Sequence, residues 1–65
     1  MSEKARLDIA AICKAIRKQN GWSETELAER AGVGRTAIRE IESASGNPTL
    51  GTLDKVGGAL GVDLY

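Results

Sequence analysis

The sequence predicts an all-α fold, a bundle of four or five helices. Apolar residues recur with helical spacing in four segments, and capping residues or glycines separate those segments. The 65 residues leave room for only one small core, so we expect a single domain over residues 1–65. The composition, 42% hydrophobic and 28% charged, is typical of a globular chain and argues against disorder.

The first helix is predicted from about residue 4 to residue 20. Four apolar residues fall at i, i+3, i+4 and i+7, which places them on one face of a helix, and Gly21 stands where the helix should end. Because Cys13 belongs to this face, we interpret it as a small buried hydrophobe rather than a reactive thiol. The four positions are Ile9, Ile12, Cys13 and Ile16.

The second helix has a complete start signal. Ser23 and Glu26 fit a capping box, in which each side chain bonds the other residue's backbone N–H. Trp22 and Leu27 fit the hydrophobic staple that accompanies such a box. The helix is predicted to end at Ala31, because two glycines follow within the next three residues.

The third helix is predicted from Arg35 to about residue 43, after a short glycine-containing turn with Gly34 as its N-cap. A helical wheel separates an apolar side from a polar side. The apolar side carries Ala37, Ile38, Ile41 and Ala44, and the polar side carries Arg35, Thr36, Arg39, Glu40 and Ser43.

A fourth helix is predicted over residues 50–60, capped by Thr49 and stopped by Gly61. Its interior glycines each cost about 1 kcal/mol relative to alanine, so the helix is weak unless close packing requires them. Residues 62–65 alternate apolar and polar, which is consistent with a short C-terminal strand. The predicted inward residues are Leu50, Leu53, Val56 and Leu60.

Composition and charge favour a binding module over an enzyme. The chain has no His, one Cys and two aromatic residues, so it lacks a histidine base, a cysteine-rich zinc cluster and a stacking platform, and we expect no metal and no cofactor. No apolar run approaches a membrane span, which predicts a soluble, cytoplasmic protein without a membrane partner. Residues 1–39 hold eight basic and five acidic residues, which gives that part a basic balance suited to an anionic partner.

Two short helices joined by a glycine-containing turn describe a helix-turn-helix, here over residues 24–43. Ala28 occupies the close approach of the two helices, and Gly32 occupies the left-handed turn position. With Glu-Leu-Ala-Glu-Arg-Ala-Gly-Val and the later Asn-Pro-Thr-Leu, the chain resembles the lambda-repressor/Cro (XRE-like) family over about residues 10–64. Within that family, Arg-Lys-Gln-Asn-Gly-Trp-Ser before Glu-Leu-Ala is similar to HipB-type antitoxins, which are dimeric DNA-binding partners of a toxin kinase.

The resemblance implies a lambda-repressor-like bundle that binds double-stranded DNA as a homodimeric transcriptional regulator, a repressor, with its third helix in the major groove. The alternative is a protein-interaction module, the antitoxin partner of a toxin, with DNA binding secondary. The polar side of the third helix supplies the candidate base-reading residues Arg35, Thr36, Arg39 and Glu40. The candidate phosphate contacts are Ser23, Thr25, Ser43, Ser45 and Asn47.

Two further sets of residues are assigned from the same resemblance and from residue chemistry. Arg17 and Glu42 are expected to form a structural ion pair between the first and third helices, since the wheel places Glu42 beside the apolar face. Val62, Leu64 and Tyr65 would form an exposed apolar end, and we expect this end to pair with a second copy of the chain. Two departures from the family weaken phosphate contacts: Glu24 replaces a common Gln, and the loop 44–49 lacks Lys and Arg.

Overall fold

The computed structural model describes residues 2–64 and contains four α-helices within them. The helices are α1 (Glu3–Gln19), α2 (Glu24–Ala31), α3 (Arg35–Glu42) and α4 (Leu50–Leu60). The all-α prediction is therefore confirmed, and the described residues include four of the predicted four or five helices. The suggested C-terminal strand is wrong for residues 62–64, which have no strand structure. None of these helices is long and apolar enough to cross a membrane.

Side-chain caps explain where three helices begin. The hydroxyls of Ser2, Ser23 and Thr49 accept hydrogen bonds from backbone N–H groups in the first turns of α1, α2 and α4. Only the serine half of the predicted capping box forms, because the Glu26 carboxylate instead accepts two hydrogen bonds from Arg30. The start of α2 therefore rests on a single side-chain bond.

The core lies where all four helices meet. Leu27, Ile38, Leu53 and Val56 are fully buried there, together with Cys13 of α1. Two of the residues predicted to face inward do not belong to it: Ile12 is 42% exposed and Leu50 is 63% exposed. Ile12 lies at the edge of the apolar face of α1, and Leu50 lies in the first turn of α4, where few neighbours cover it.

The chain after α4 folds back onto that helix. The Val62 N–H donates to the Gly57 carbonyl, and Leu64 is only 4% exposed because it joins the core. The expected exposed apolar end is therefore wrong for Leu64, whereas Val62 is half-buried and Tyr65 lies outside the described residues. Pairing of this end with a second copy stays a prediction. Leu64 packs in the core of its own chain and is not exposed for such pairing.

We expect two neighbouring glycines of α4 to respond in opposite ways to alanine. A Cβ on Gly57 would lie 2.5 Å from the Val62 carbonyl oxygen, whereas a Cβ on Gly58 would meet nothing within 4 Å. Gly57→Ala should therefore lower the free energy of unfolding by about 1–3 kcal/mol, because backbone must move. Gly58→Ala should raise it by about 1 kcal/mol through helix propensity. Urea denaturation measures both, and equal effects would contradict the close approach.

Candidate nucleic-acid interface

The turn between α2 and α3 brings these two helices into close contact. Gly32 ends α2 with φ 72°, a left-handed conformation that glycine adopts without strain. The Val33 N–H then donates to the Ala28 carbonyl at 3.0 Å, which closes the turn. Ala28 is only 4% exposed at this contact, so a larger side chain there would push the helices apart.

The outward face of α3 carries most of the predicted base-reading residues. Arg35, Thr36 and Arg39 are all exposed, while Ile38 on the opposite face is fully buried. Glu40 is different, because it is half-buried and its carboxylate lies against the loop after α3. Glu40 Oε2 is only 2.6 Å from the position that a Cβ on Gly46 would occupy.

An open groove of about 680 Å³ runs between α1, the start of α2 and α3. It brings together several predicted residues, but Arg35, Ser23, Thr25 and Asn47 are outside its lining. Two lining residues were missed from the sequence, Lys14 and Lys18 of α1. Their i, i+4 spacing signals a shared helical face, but nothing local shows that this face adjoins α3. The lining residues are Lys14, Arg17, Lys18, Glu24, Thr36, Arg39, Glu40, Glu42, Ser43 and Ser45.

The predicted phosphate contacts occupy two places beside α3. The Ser43 hydroxyl lies 2.7 Å from both the Arg39 carbonyl oxygen and the Ser45 hydroxyl, so these two serines form one hydroxyl cluster at the end of α3. Ser23 and Thr25 lie at the opposite end of the unit, at the start of α2. Asn47 is exposed in the loop between α3 and α4.

Arg6 of α1 holds that loop. Its Nη1 donates to the Gly46 carbonyl at 2.9 Å, across 40 residues of sequence. Gly46 therefore lies between the Arg6 guanidinium on its carbonyl and the Glu40 carboxylate beside its α-carbon. This arrangement fixes the position of Ser45 and Asn47 relative to α3.

Arg17 and Glu42 form a bidentate ion pair between α1 and α3. Arg17 Nε lies 2.7 Å from Glu42 Oε2, and Nη2 lies 2.9 Å from Oε1. The third donor, Nη1, bonds the Trp22 carbonyl at 2.8 Å, just before α2. The side chains are 12% and 4% exposed, and the hydrogen bonds to Glu42 raise the pKa of Arg17. One guanidinium thus connects three helices.

Cys13 lies beside this ion pair. Its Sγ is 3.7 Å from Glu42 Oε2, and the residue is completely buried. Burial, followed by the repulsion of the Glu42 carboxylate, raises the pKa of the Cys13 thiol to about 12. The thiol is therefore a neutral core group, as the sequence suggested.

Comparison with known proteins places these features in a family. A family model described as "Helix-turn-helix" matches residues 14–65. An immunity repressor protein of Bacillus phage phi105 is 43% identical over 51 residues, which cover 78% of this chain and 35% of the relative. The antitoxin HipB of Escherichia coli K12 is 38% identical over 48 residues, 74% of this chain and 54% of the relative.

A third relative is the transcriptional regulator SinR of Bacillus subtilis. It is 40% identical over 53 residues, which cover 80% of this chain and 48% of SinR. This chain thus spans between about a third and a little over half of the three relatives.

Removing one partner of the buried ion pair should nearly unfold the protein. Arg17→Met leaves a buried carboxylate and the Trp22 carbonyl without partners, and we expect the free energy of unfolding to fall by about 3–5 kcal/mol. The total free energy of unfolding of a chain of this size is about 3–10 kcal/mol. The double variant Arg17→Met/Glu42→Met should recover much of the loss, and Lys4→Met in the exposed Lys4–Asp8 pair should change stability by less than about 1 kcal/mol. Urea denaturation gives all three values, and equal losses for Arg17→Met and Lys4→Met would contradict a structural pair.

The native Cys13 thiol should be almost inert to a thiol reagent at pH 8.5. Its pKa of about 12 lowers the thiolate fraction about a thousandfold relative to an ordinary thiol, and burial blocks access as well. Because the folded pKa is raised, the contribution of the thiol to stability is complete below about pH 9 and is lost as the pH rises towards 12. Disulfide-exchange kinetics with a chromogenic reagent measure the rate, with Ser45→Cys in a Cys13→Ala background as the exposed control. Equal rates for the two thiols would refute the assignment.

Proposed function

The chain belongs to the helix-turn-helix family, and on this basis we propose that it binds double-stranded DNA sequence-specifically as a transcriptional regulator, a repressor. The observation that carries the proposal is the outward face of α3. Arg35, Thr36 and Arg39 are exposed there, while the opposite face is packed into the core. The major groove is wide enough to admit such a helix.

In this proposal α3 lies in the major groove and its outward side chains contact base edges. Arg35 and Arg39 suit bidentate contacts to guanine O6 and N7, and Thr36 offers both a hydroxyl and a methyl group. Glu40 can accept from cytosine N4, but its carboxylate must first leave its place beside Gly46. We therefore expect the two arginines to contribute most to base discrimination.

The predicted polar contacts then position the helix on the DNA backbone. Ser23 and Thr25 lie at the start of α2, where backbone N–H groups favour an anion. Ser43, Ser45 and Asn47 reach the backbone at the other end of α3, in the loop that Arg6 holds. Glu24 lines the groove near Arg17 and repels phosphate at this point.

Repression in this proposal is occupancy of an operator by a homodimer, with no chemistry performed. One module of this kind buries about 600–1,000 Å² on DNA, less than most specific complexes. Two copies related by a twofold axis would read half-sites about 34 Å apart and add their contacts. Of the predicted residues of the C-terminal end, Val62 is half-buried and Tyr65 lies outside the described residues, so pairing through this end is part of the proposal.

A second candidate function is that of an antitoxin, a protein that pairs with a toxin while it also binds DNA. The similarity to the antitoxin HipB favours this candidate. Of the four acidic residues within residues 40–65, Glu42 is buried with Arg17 and Glu40 lies on the polar side of α3, so the exposed acidic surface outside α3 comes from Asp54 and Asp63. A kinase-like reading frame beside the gene would support the antitoxin function, and its absence would favour a stand-alone repressor.

Selection from a random duplex pool tests the proposed DNA binding directly. We expect enrichment of a defined sequence at low salt, because the outward face of α3 carries side chains suited to base edges. Recovery of no enriched sequence would overturn base reading. Sedimentation of the protein on the enriched duplex would give the number of copies bound.

Arg35→Ala and Arg39→Ala should each weaken operator binding by about 1–3 kcal/mol and relax the preference at one base pair. The physical reason is the loss of a bidentate contact to a base. Fluorescence anisotropy on the operator and on single-base variants measures both effects. Lys55→Ala, which removes an exposed charge from α4, is the matched control and should change neither. Equal weakening on all sequences would show that the arginines contact phosphates instead.

A further inference from the structure

We infer that Lys14 and Lys18 bind phosphates of the DNA backbone in the groove between α1 and α3. This inference rests on the proposed function, because it adds a contact to the same interface. It extends that function because both lysines lie on α1, outside the helix-turn-helix and outside the base-reading and phosphate-contact residues predicted from the sequence.

Lys14 and Lys18 are one helical turn apart, so their side chains share one face of α1. Both are exposed, and both line the groove. Neither forms an ion pair within residues 2–64, where the three ion pairs join Lys4 with Asp8, Arg17 with Glu42, and Arg30 with Glu26. Two flexible, strongly hydrated cations are thus available to the phosphates of a DNA strand.

The opposite wall belongs to α3 and the residues after it. Arg39 supplies a third cation that forms no ion pair with residues 2–64, and Thr36 supplies a hydroxyl. Ser43 donates its hydroxyl hydrogen to the Arg39 carbonyl, so Ser45, with its oxygen 2.7 Å from that of Ser43, supplies the hydroxyl that can turn towards a phosphate. Cations with hydroxyl donors are the groups that proteins place on phosphate oxygens.

The carboxylates of the groove do not cancel these cations. Glu42 is neutralised by Arg17, whereas Glu24 and Glu40 also line the groove and have no ion pair with residues 2–64. Glu24 acts on Arg17 at the α2 end, and the Glu40 carboxylate lies beside Gly46. Lys14, Lys18 and Arg39 therefore exceed these two carboxylates by one positive charge.

The form of the groove favours a polymer backbone over a small ligand. It is open to solvent and lined by polar side chains, whereas small-molecule sites are enclosed and mainly apolar. It also runs beside the exposed face of α3. A helix in the major groove brings the flanking backbone strand against its neighbouring elements. Lys14 and Lys18 stand where such a strand would pass.

The salt dependence of binding to a random-sequence duplex tests the inference. Affinity falls as salt rises, and each neutralised phosphate adds about 0.9 to the magnitude of this slope of log affinity against log salt. Lys14→Gln and Lys18→Gln should therefore each lower the slope by about 0.9, and the double variant by about 1.8. Lys55→Gln, which removes an exposed lysine outside the groove, should leave the slope unchanged. Because all three lysines are exposed, thermal unfolding should stay the same and serves as the folding check.

Two outcomes would overturn the inference: slopes that fall equally for Lys55→Gln, or slopes that do not fall for either groove variant. Sodium phosphate should displace the duplex no better than sodium chloride at equal ionic strength, and a stronger effect would indicate a free-phosphate site instead. The random-sequence probe keeps the inference separate from the proposed function. Reduced slopes without any enriched sequence would support the groove and overturn base reading, whereas an enriched sequence with unchanged slopes would do the reverse.

Discussion

The position of α3 depends on the guanidinium of Arg17. This group bonds both oxygens of Glu42 at the end of α3 and the Trp22 carbonyl before α2, and it projects from α1. Both side chains are nearly buried and have lost most of their hydration. The three hydrogen bonds compensate for this loss only when the groups keep this geometry. The pair adds little net stability compared with apolar packing, but a displaced helix would leave charges unpaired. Its effect is to select one arrangement of the three helices that form the groove.

The same pair explains why Cys13 and the groove share one region. The thiol packs against Glu42 inside the core, while the other side of the Arg17–Glu42 pair borders the groove lined by Lys14 and Lys18. The Arg17–Glu42 pair therefore lies between the core and the groove, and the exposed lysines lie on its solvent side. Because Arg17 and Glu42 neutralise each other, the field in the groove comes from the residues around them.

Helix boundaries were predictable from the sequence because local chemistry sets them. Ser23, Thr49 and the left-handed Gly32 and Gly61 act within a few residues, and the helices begin and end where these signals stand. Contacts between distant residues were predictable only through family resemblance, as for Arg17 and Glu42. Contacts between distant residues that no family resemblance indicated were missed.

The positions of three groups of residues depend on tertiary packing that the local sequence does not indicate. Leu64 alternates with polar neighbours as in a strand, but the return of the chain onto Gly57 places it in the core. Glu40 lies on the polar side of a helical wheel, but its carboxylate lies against Gly46, whose carbonyl Arg6 holds. Lys14 and Lys18 look like ordinary solvent-exposed residues of α1 until α3 packs beside them. Each of these depends on residues far away in the chain.

The small size of α3 bears on how the interface can change. The helix has only eight residues and no side-chain cap, and isolated helices shorter than about 12–15 residues are marginal in water. Its stability must therefore come from Ile38 and Ile41 in the core and from the Glu42 ion pair. None of these residues faces outward, so Arg35, Thr36 and Arg39 contribute little to the packing of the helix. Substitution on the outward face can consequently alter what the helix contacts without altering where the helix lies, because the two tasks fall on opposite sides of the same eight residues.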